Sequence, residues 1–298
     1  MELRLPHWLR RRSSFSRFAP SGFANSTLAE IAWQRARNAA RRWGVWGAIA
    51  GAIAGLLLFA PASWLARGVA SASGERLLLA DAQGSVWTGS AQLLLAGGPG
   101  SRDASALPGR LHWQIRPMWN RIDLRLRQAC CIEREVVVQF KPGLGRMTVV
   151  VPGQTQALGQ WPAAWLSGLG TPFNTMQLAG AMRLTTSGLT LESAQGRWRL
   201  IGTLELDLLG VSSRLSTLDT LGSYRLGIRG GAAAGDTASV TLDTLDGALR
   251  LQGSGQWAGS KMRFRGEATA AEGQEAALNN LLNIIGRRQG AVSVISIG

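Results

Sequence analysis

The chain has 298 residues but only two histidines, His7 and His112, and two lysines, Lys141 and Lys261. That scarcity removes several chemistries. His112 has no second imidazole near it in sequence to share a metal, and no His-Glu-x-x-His pair occurs. Neither lysine follows a phosphate-binding glycine loop, and no Gly-x-Ser-x-Gly elbow is present. His112 sits in an alternating stretch between Leu111 and Trp113, as a structural or solvent-facing strand residue. Asp243 and Asp246 lie close enough to suggest paired carboxylates. Asp246-Gly247 reads more simply as a turn, with Asp219 and Asp243 as equivalent turn residues in similar Leu-Asp-Thr-Leu units. The residues therefore point away from an enzyme, and they call for no cofactor and no metal.

Cysteine is equally sparse: Cys130 and Cys131 are adjacent. In a strand they would face opposite sides of a sheet, so two half-buried thiols are expected. A vicinal or intermolecular disulfide is the alternative in an oxidising compartment.

Basic charge is abundant, with a formal net charge of +14. It divides evenly. Residues 1–66 carry nine arginines against Glu2 and Glu30, a net +7, and the remainder carries the other +7. An arginine-rich, lysine-poor chain of this kind reflects base composition as readily as it reflects a partner. No zinc-finger spacing or recognition-helix pattern accompanies the charge, so no nucleic-acid partner is expected.

What is present is one long uncharged run. Trp43 to Ala66 reads WGVWGAIAGAIAGLLLFAPASWLA, without a charged residue. This length predicts a single transmembrane helix over 43–66. Trp43, Trp46 and Trp64 mark its interfaces. Arg35, Arg37, Arg41 and Arg42 lie on the N-terminal side, against Arg67 alone on the other. The bias places residues 1–42 in the cytoplasm and 67–298 in the periplasm. Gly47, Gly51 and Gly55 form a small-residue stripe suited to close helix packing. A cleaved leader ending at Ala60-Pro61-Ala62 is the competing reading, disfavoured by the proline and by the continuation to Ala66. Residues 1–42, polar and arginine-rich, read as a disordered tail or as a start assigned upstream of the true one.

Beyond the span the sequence is strand-like. Residues 121–127, 204–208, 224–229 and 261–265 alternate apolar with charged side chains, and 133–140 and 146–151 read as more deeply buried strands. Gly- and Pro-containing breaks separate them as turns. Two helices are expected, a short one near 158–169 and one over 274–285 with Gly286 as its C-cap and Arg287-Arg288 beyond. Trp87, Trp113, Trp198 and Trp257 each follow a glycine and are expected in the core. The expected fold class is mainly β: a membrane helix followed by a curved antiparallel sheet folded as a sandwich, half-barrel or groove.

Several segments resemble one family. They are GSVWTGSAQL (Gly84–Leu93), PGRLHWQIRP (Pro108–Pro117), LSTLDTLGSYRLGIRG (Leu215–Gly230), LDTLDGALRLQGSGQW (Leu242–Trp257), FRGEA (Phe264–Ala268) and LNNLLNIIGRRQG (Leu278–Gly290). In this order they are similar to type II secretion system protein N, over roughly residues 45–298. The long N-terminal tail and the paired cysteines depart from that pattern. The resemblance implies an inner-membrane accessory subunit, without catalysis, that supports export of folded proteins across the outer membrane. It implies as partners other inner-membrane subunits, the outer-membrane secretin and membrane lipid. It singles out Gly84, Trp87, Gly89, Trp113, Tyr224, Gly247, Trp257, Gly286 and Arg287 as family-motif or interaction residues. The strand pattern is also similar to the envelope's β-groove proteins, which handle lipids, so a lipid-binding groove is the alternative function.

Overall fold

A computed structural model describes residues 22–194, 197–231, 237–258 and 261–298. Two compact units divide the chain, Met1–Leu58 and Phe59–Gly298.

Within the first unit, α1 (Gly22–Leu58) is a 37-residue helix. Residues 22–42, expected as disordered tail, are thus helical, and 1–21 lie outside the described residues. Trp43, Val45, Trp46, Ile49, Ile53, Leu56, Leu57 and Leu58 are all exposed. The helix stops ahead of Pro61 because a residue preceding proline is pushed out of the helical region. The uncharged run is therefore not one helix over 43–66: its last part is α2 (Ala62–Ala72), with Pro61 extended at φ −70° and ψ 148° as N-cap. Among the described residues no helix is long and apolar enough to cross a membrane. The apolar part of α1 is cut to residues 43–58, which at about 1.5 Å per residue falls short of about 20 residues.

In the second unit, α2 leads into β1 (Leu77–Gly84), β2 (Thr88–Ala96), β3 (Ala104–Ala106), β4 (Leu111–Pro117), β5 (Ile122–Gln128), β6 (Ile132–Gly143), β7 (Arg146–Val151) and β8 (Gly159–Pro162). A 3-10 turn, Ala163–Leu169, and the short α3 (Phe173–Met176) follow. Two 17-residue strands come next, β9 (Leu178–Ala194) and β10 (Arg197–Ser213). The chain closes with β11 (Gly222–Gly230), β12 (Ser239–Gly247), β13 (Leu249–Ala258), β14 (Lys261–Ala270), α4 (Glu275–Ile285), β15 (Arg287–Gln289) and β16 (Val292–Ile297).

All 16 strands join one sheet, in the order β1-β2-β4-β5-β6-β7-β9-β10-β11-β12-β13-β14-β16-β15, with β3 on β2 and β8 on β9. Nearly every neighbour is the next strand in sequence, and each pairing is antiparallel. The alternating sequences fall on β5, β10, β11 and β14, as the period of two requires. Curvature enters where ladders slip. Gly188 at φ +124° pairs with Thr203, next to Gly202 at φ +103°, at the register shift Thr203/Leu204. A β-carbon on Gly202 would lie 1.9 Å from the Gly188 carbonyl oxygen, so only glycine permits that kink.

The two faces differ. The outer face is held by ion pairs. Glu135 on β6 pairs with Arg125 of β5 at 3.2 Å and also with Arg127. Arg225 on β11 donates Nε–H to Asp207 Oδ1 at 2.7 Å and Nη2–H to Oδ2 at 3.0 Å. His112 is exposed on β4, facing solvent. Asp243 lies within β12 and Asp219 in the loop between β10 and β11, so they are not the equivalent turn residues expected. The inner face is apolar, and over β11–β16 it is covered. Leu278, Leu281 and Leu282 of α4 are fully buried against Leu221, Tyr224, Leu249 and Ala268. Ser293 Oγ donates to the Leu282 carbonyl at 2.6 Å and ties that helix to β16.

Candidate functional site: an apolar groove

Over β1–β10 the inner face has no such cover. It forms a groove of about 1020 Å³. Leu79, Leu93, Leu95, Leu111, Ile115, Leu124 and Leu126 come from strands whose alternation turns every second side chain inward. Phe140 and Met147 continue the wall across β6 and β7, and Met182, Leu184 and Leu206 complete it on β9 and β10. Leu65 and Val69 of α2 close one flank, and Trp165, Leu166 and Leu169 of the 3-10 turn close another.

Polar groups are nearly absent from the wall. The Trp113 indole N–H donates to the carbonyls of Val86 at 3.1 Å and Ser85 at 3.3 Å, and Trp165 donates to that of Ser105 at 3.0 Å. Trp87 and Trp161 also line it, and Gln128 is the one lining side chain among the described residues that is not apolar or aromatic. It is 2% exposed; its Nε2 donates to the Pro108 carbonyl at 3.4 Å, and its Oε1 lacks a hydrogen-bond partner. A buried amide oxygen without a donor is uncommon, so it offers one acceptor to whatever fills the groove. Among the described residues no cluster suits a metal ion. Such a wall can do no acid–base chemistry. It can exclude water and hold an apolar chain.

The residues singled out by sequence fall into three groups. Gly84, Trp87, Gly89 and Trp113 meet at the turn between β1 and β2. There Trp113 is 3% exposed beneath Gly89, where a β-carbon would lie 2.5 Å from its ring. Tyr224 and Gly247 meet at the opposite end of β11 and β12. The tyrosine hydroxyl donates to the Leu249 carbonyl at 3.0 Å, and Gly247 lets Gly222 approach so closely that a β-carbon would sit 2.2 Å from its Cα. Burial pushes the Tyr224 hydroxyl well above the usual tyrosine range. Gly286 and Arg287 follow α4. Gly286 is the C-cap of α4, as expected from the sequence, but extended at φ −162° rather than left-handed, and its lack of a side chain permits the close approach to Val294. The glycines, Trp113 and Tyr224 among these positions are packing joints, whereas Arg287 is exposed.

Three expectations change. Trp198 is 60% and Trp257 40% exposed, so neither is core, because both lie near hairpin tips. Trp64 belongs to α2, whose Ala62 and Leu65 pack on the sheet, and so it does not end a continuous membrane helix. Cys130 and Cys131 are joined in a disulfide, because they occupy the turn between β5 and β6 rather than a strand. Trp43, Trp46, Gly47, Gly51 and Gly55 lie on α1, and the three glycines have open space around them.

Of the groove residues, sequence singled out only Trp87 and Trp113. The signal for the rest was indirect: too few amphipathic helices for so many one-faced strands.

The chain matches the family model described as type II secretion system (T2SS), protein N, over residues 75–295. It belongs to that family. Membership carries an accessory, structural role in type II secretion and contact with other components of that machine. The matched region begins just ahead of β1 and ends within β16, so it takes in the whole sheet. No curated protein and no solved structure matches the chain.

Proposed function

We propose that this protein N chain is an inner-membrane accessory subunit of the type II secretion system. Residues 43–58 of α1 lie in the bilayer, the N-terminus is cytoplasmic and the sheet is periplasmic. The support is physical. A helix with Trp43, Val45, Trp46 and Leu58 exposed on several sides needs an apolar surround. Its arginines end at Arg42, on the side that positive charge marks as cytoplasmic. A stretch shorter than the hydrocarbon core is accommodated by local thinning and by long side chains reaching the interface. The subunit supports export of folded proteins through contacts with other inner-membrane subunits and the outer-membrane secretin. The terminal strand β15 offers unpaired backbone groups for strand addition.

The open groove favours a second reading alongside the first. An uncovered apolar wall of about 1020 Å³ suits one or two acyl chains better than a folded partner, so the subunit also holds lipid. The test is deletion of the gene in its host, following a secreted hydrolase in periplasm and medium together with outer-membrane lipid asymmetry. Hydrolase retained in the periplasm with normal lipids supports the secretion role alone. Normal secretion with disturbed lipids replaces it with the lipid role.

A further inference from the structure

The large apolar side chains exposed on the sheet unit are unevenly placed. Among the described residues of Phe59–Gly298 twelve such side chains are exposed, and of these only Leu245 and Ile284 lie toward the α4 end. The other ten lie toward one end of the strands. The densest group sits on adjacent hairpin tips. Met118 and Trp119 cap β4–β5, Leu144 caps β6–β7, and Trp198 lies beside the β9–β10 turn. The pairing of Gly143 with Arg146 and of Arg146 with Ala194 puts the last two tips side by side. Trp119 and Leu144 are fully exposed. The β4–β5 and β6–β7 tips carry Arg116, Arg121, Lys141 and Arg146; Arg121 is paired with Asp123 at 3.0 Å, which leaves Arg116, Lys141 and Arg146 as the cations of the rim.

Two further observations point to what this rim meets. The chain enters the sheet unit at this same end: Val86 N–H donates to the Ala60 carbonyl at 2.9 Å, and Pro61 bridges to Ser85 at the β1–β2 turn. That turn shares an end with the β4–β5 tip through the pairing of Thr88 with Gln114. Phe59, 82% exposed, directly follows the apolar helix α1 in the chain. The groove also reaches this rim, because Ile122 and Met147 line it and are 37% and 40% exposed.

We propose that this hairpin rim is a membrane-docking surface. Its tryptophan and leucine tips enter the interfacial layer of the bilayer that holds α1, its cations engage anionic lipid headgroups, and the groove opens onto lipid. The inference rests on the membrane reading of α1 above. Amphipathic aromatic rings beside arginine and lysine are the chemistry of a lipid–water interface.

The test uses the full chain reconstituted in phosphatidylethanolamine–phosphatidylglycerol vesicles. No described native thiol is free, so Leu144→Cys accepts a fluorophore, with Glu272→Cys at the α4 end as reference. Vesicles carry a headgroup-linked nitroxide quencher. The expected result is strong quenching at position 144 and little at 272. Quenching at 144 should weaken in phosphatidylcholine vesicles and in the Lys141→Glu/Arg146→Glu variant, by about fivefold in docking equilibrium per charge. Equal quenching at both positions overturns the proposal. Absent quenching at 144 in a chain that floats with vesicles also overturns it, and leaves the rim as a protein-docking edge with the anchor intact. A chain that does not float overturns both the rim and the anchor.

Discussion

Replacing Gly89 with alanine isolates the joint on which one end of the groove rests. A β-carbon there would lie 2.5 Å from Trp113 Cζ2 and 2.6 Å from the Gln83 carbonyl oxygen. The second contact is backbone on a paired strand, since Gln83 faces Ser90 across β1–β2. It cannot swing aside as a side-chain end could. Trp113 cannot retreat without giving up its hydrogen bonds to Ser85 and Val86 and its packing on Ala62 and Ala91. Overpacking of this kind costs about 1–3 kcal/mol. At roughly 2–4 °C per kcal/mol for a domain of this size, the melting temperature falls by about 2–12 °C. Differential scanning fluorimetry of the full chain in detergent measures it, with Gly109→Ala and Gly47→Ala as references. Gly47 has nothing within 4 Å of an added β-carbon; Gly109 is equally open but sits at φ +78°, so it reports backbone strain without a clash. Trp113→Phe, which shortens the ring under Gly89, should cost stability alone yet reduce the added cost of Gly89→Ala. A Gly89→Ala chain that melts with the parent would refute the reasoning, because the two contacts would then have to yield without cost.

Tyr224 is the only tyrosine in the chain, so tyrosinate absorbance reports it alone. Its hydroxyl is raised by burial, while the unfolded side chain titrates near about 10. The raised folded value makes its stability contribution complete below about pH 10, lost as pH climbs through the folded value. Folded protein at about pH 11 should show little tyrosinate, and Tyr224→Phe should remove the alkaline loss while costing about 1 kcal/mol for the bond to Leu249. In the groove, Leu124→Asp should abolish co-purifying lipid measured by mass spectrometry while leaving α4 packing intact, and unchanged lipid would count against the groove as its site. Leu281→Ala removes a fully buried side chain from the closed half and should cost about 2–5 kcal/mol, read by urea unfolding. Asp207→Asn leaves Arg225 without its bidentate partner and, with that arginine 42% exposed, should cost only about 1 kcal/mol by the same assay.

Alternation made most of the sheet legible. Residues 121–127 and 146–151 are β5 and β7 almost residue for residue, and α4 begins one residue after its expected start. Period, however, carries no information about what lies opposite a face. Leu124 and Leu251 read alike in sequence, yet one lines an open groove and the other packs near α4. The break at Pro61 was visible, but hydropathy continued across it and outweighed the proline. Trp198 and Trp257 were placed in the core on residue type alone, and their distance from the tips depended on pairings that only the register supplies.

The contrast between the two halves explains why one is a core and the other a site. On β13 and β14 the inner face carries Gly253, Gly255, Gly266 and Ala268, and an added β-carbon at Gly253 would strike Phe264 at 2.4 Å. Small positions there admit a large neighbour, and α4 supplies leucines over the rest, so apolar surface is removed from water within the chain. On β1, β2, β4 and β5 the inner positions apart from Gly89 and Ala91 are mostly large, and among the described residues the α-helix on that flank is α2, which covers an edge. Filling those positions with leucine and isoleucine lowers no internal energy unless something apolar comes to lie against them. A sheet of one continuous strand order thus ends in two states, one already satisfied and one whose burial awaits a ligand. The unsatisfied state runs out through Ile122 and Met147 to the hairpin rim, the same end at which the chain arrives from its apolar helix.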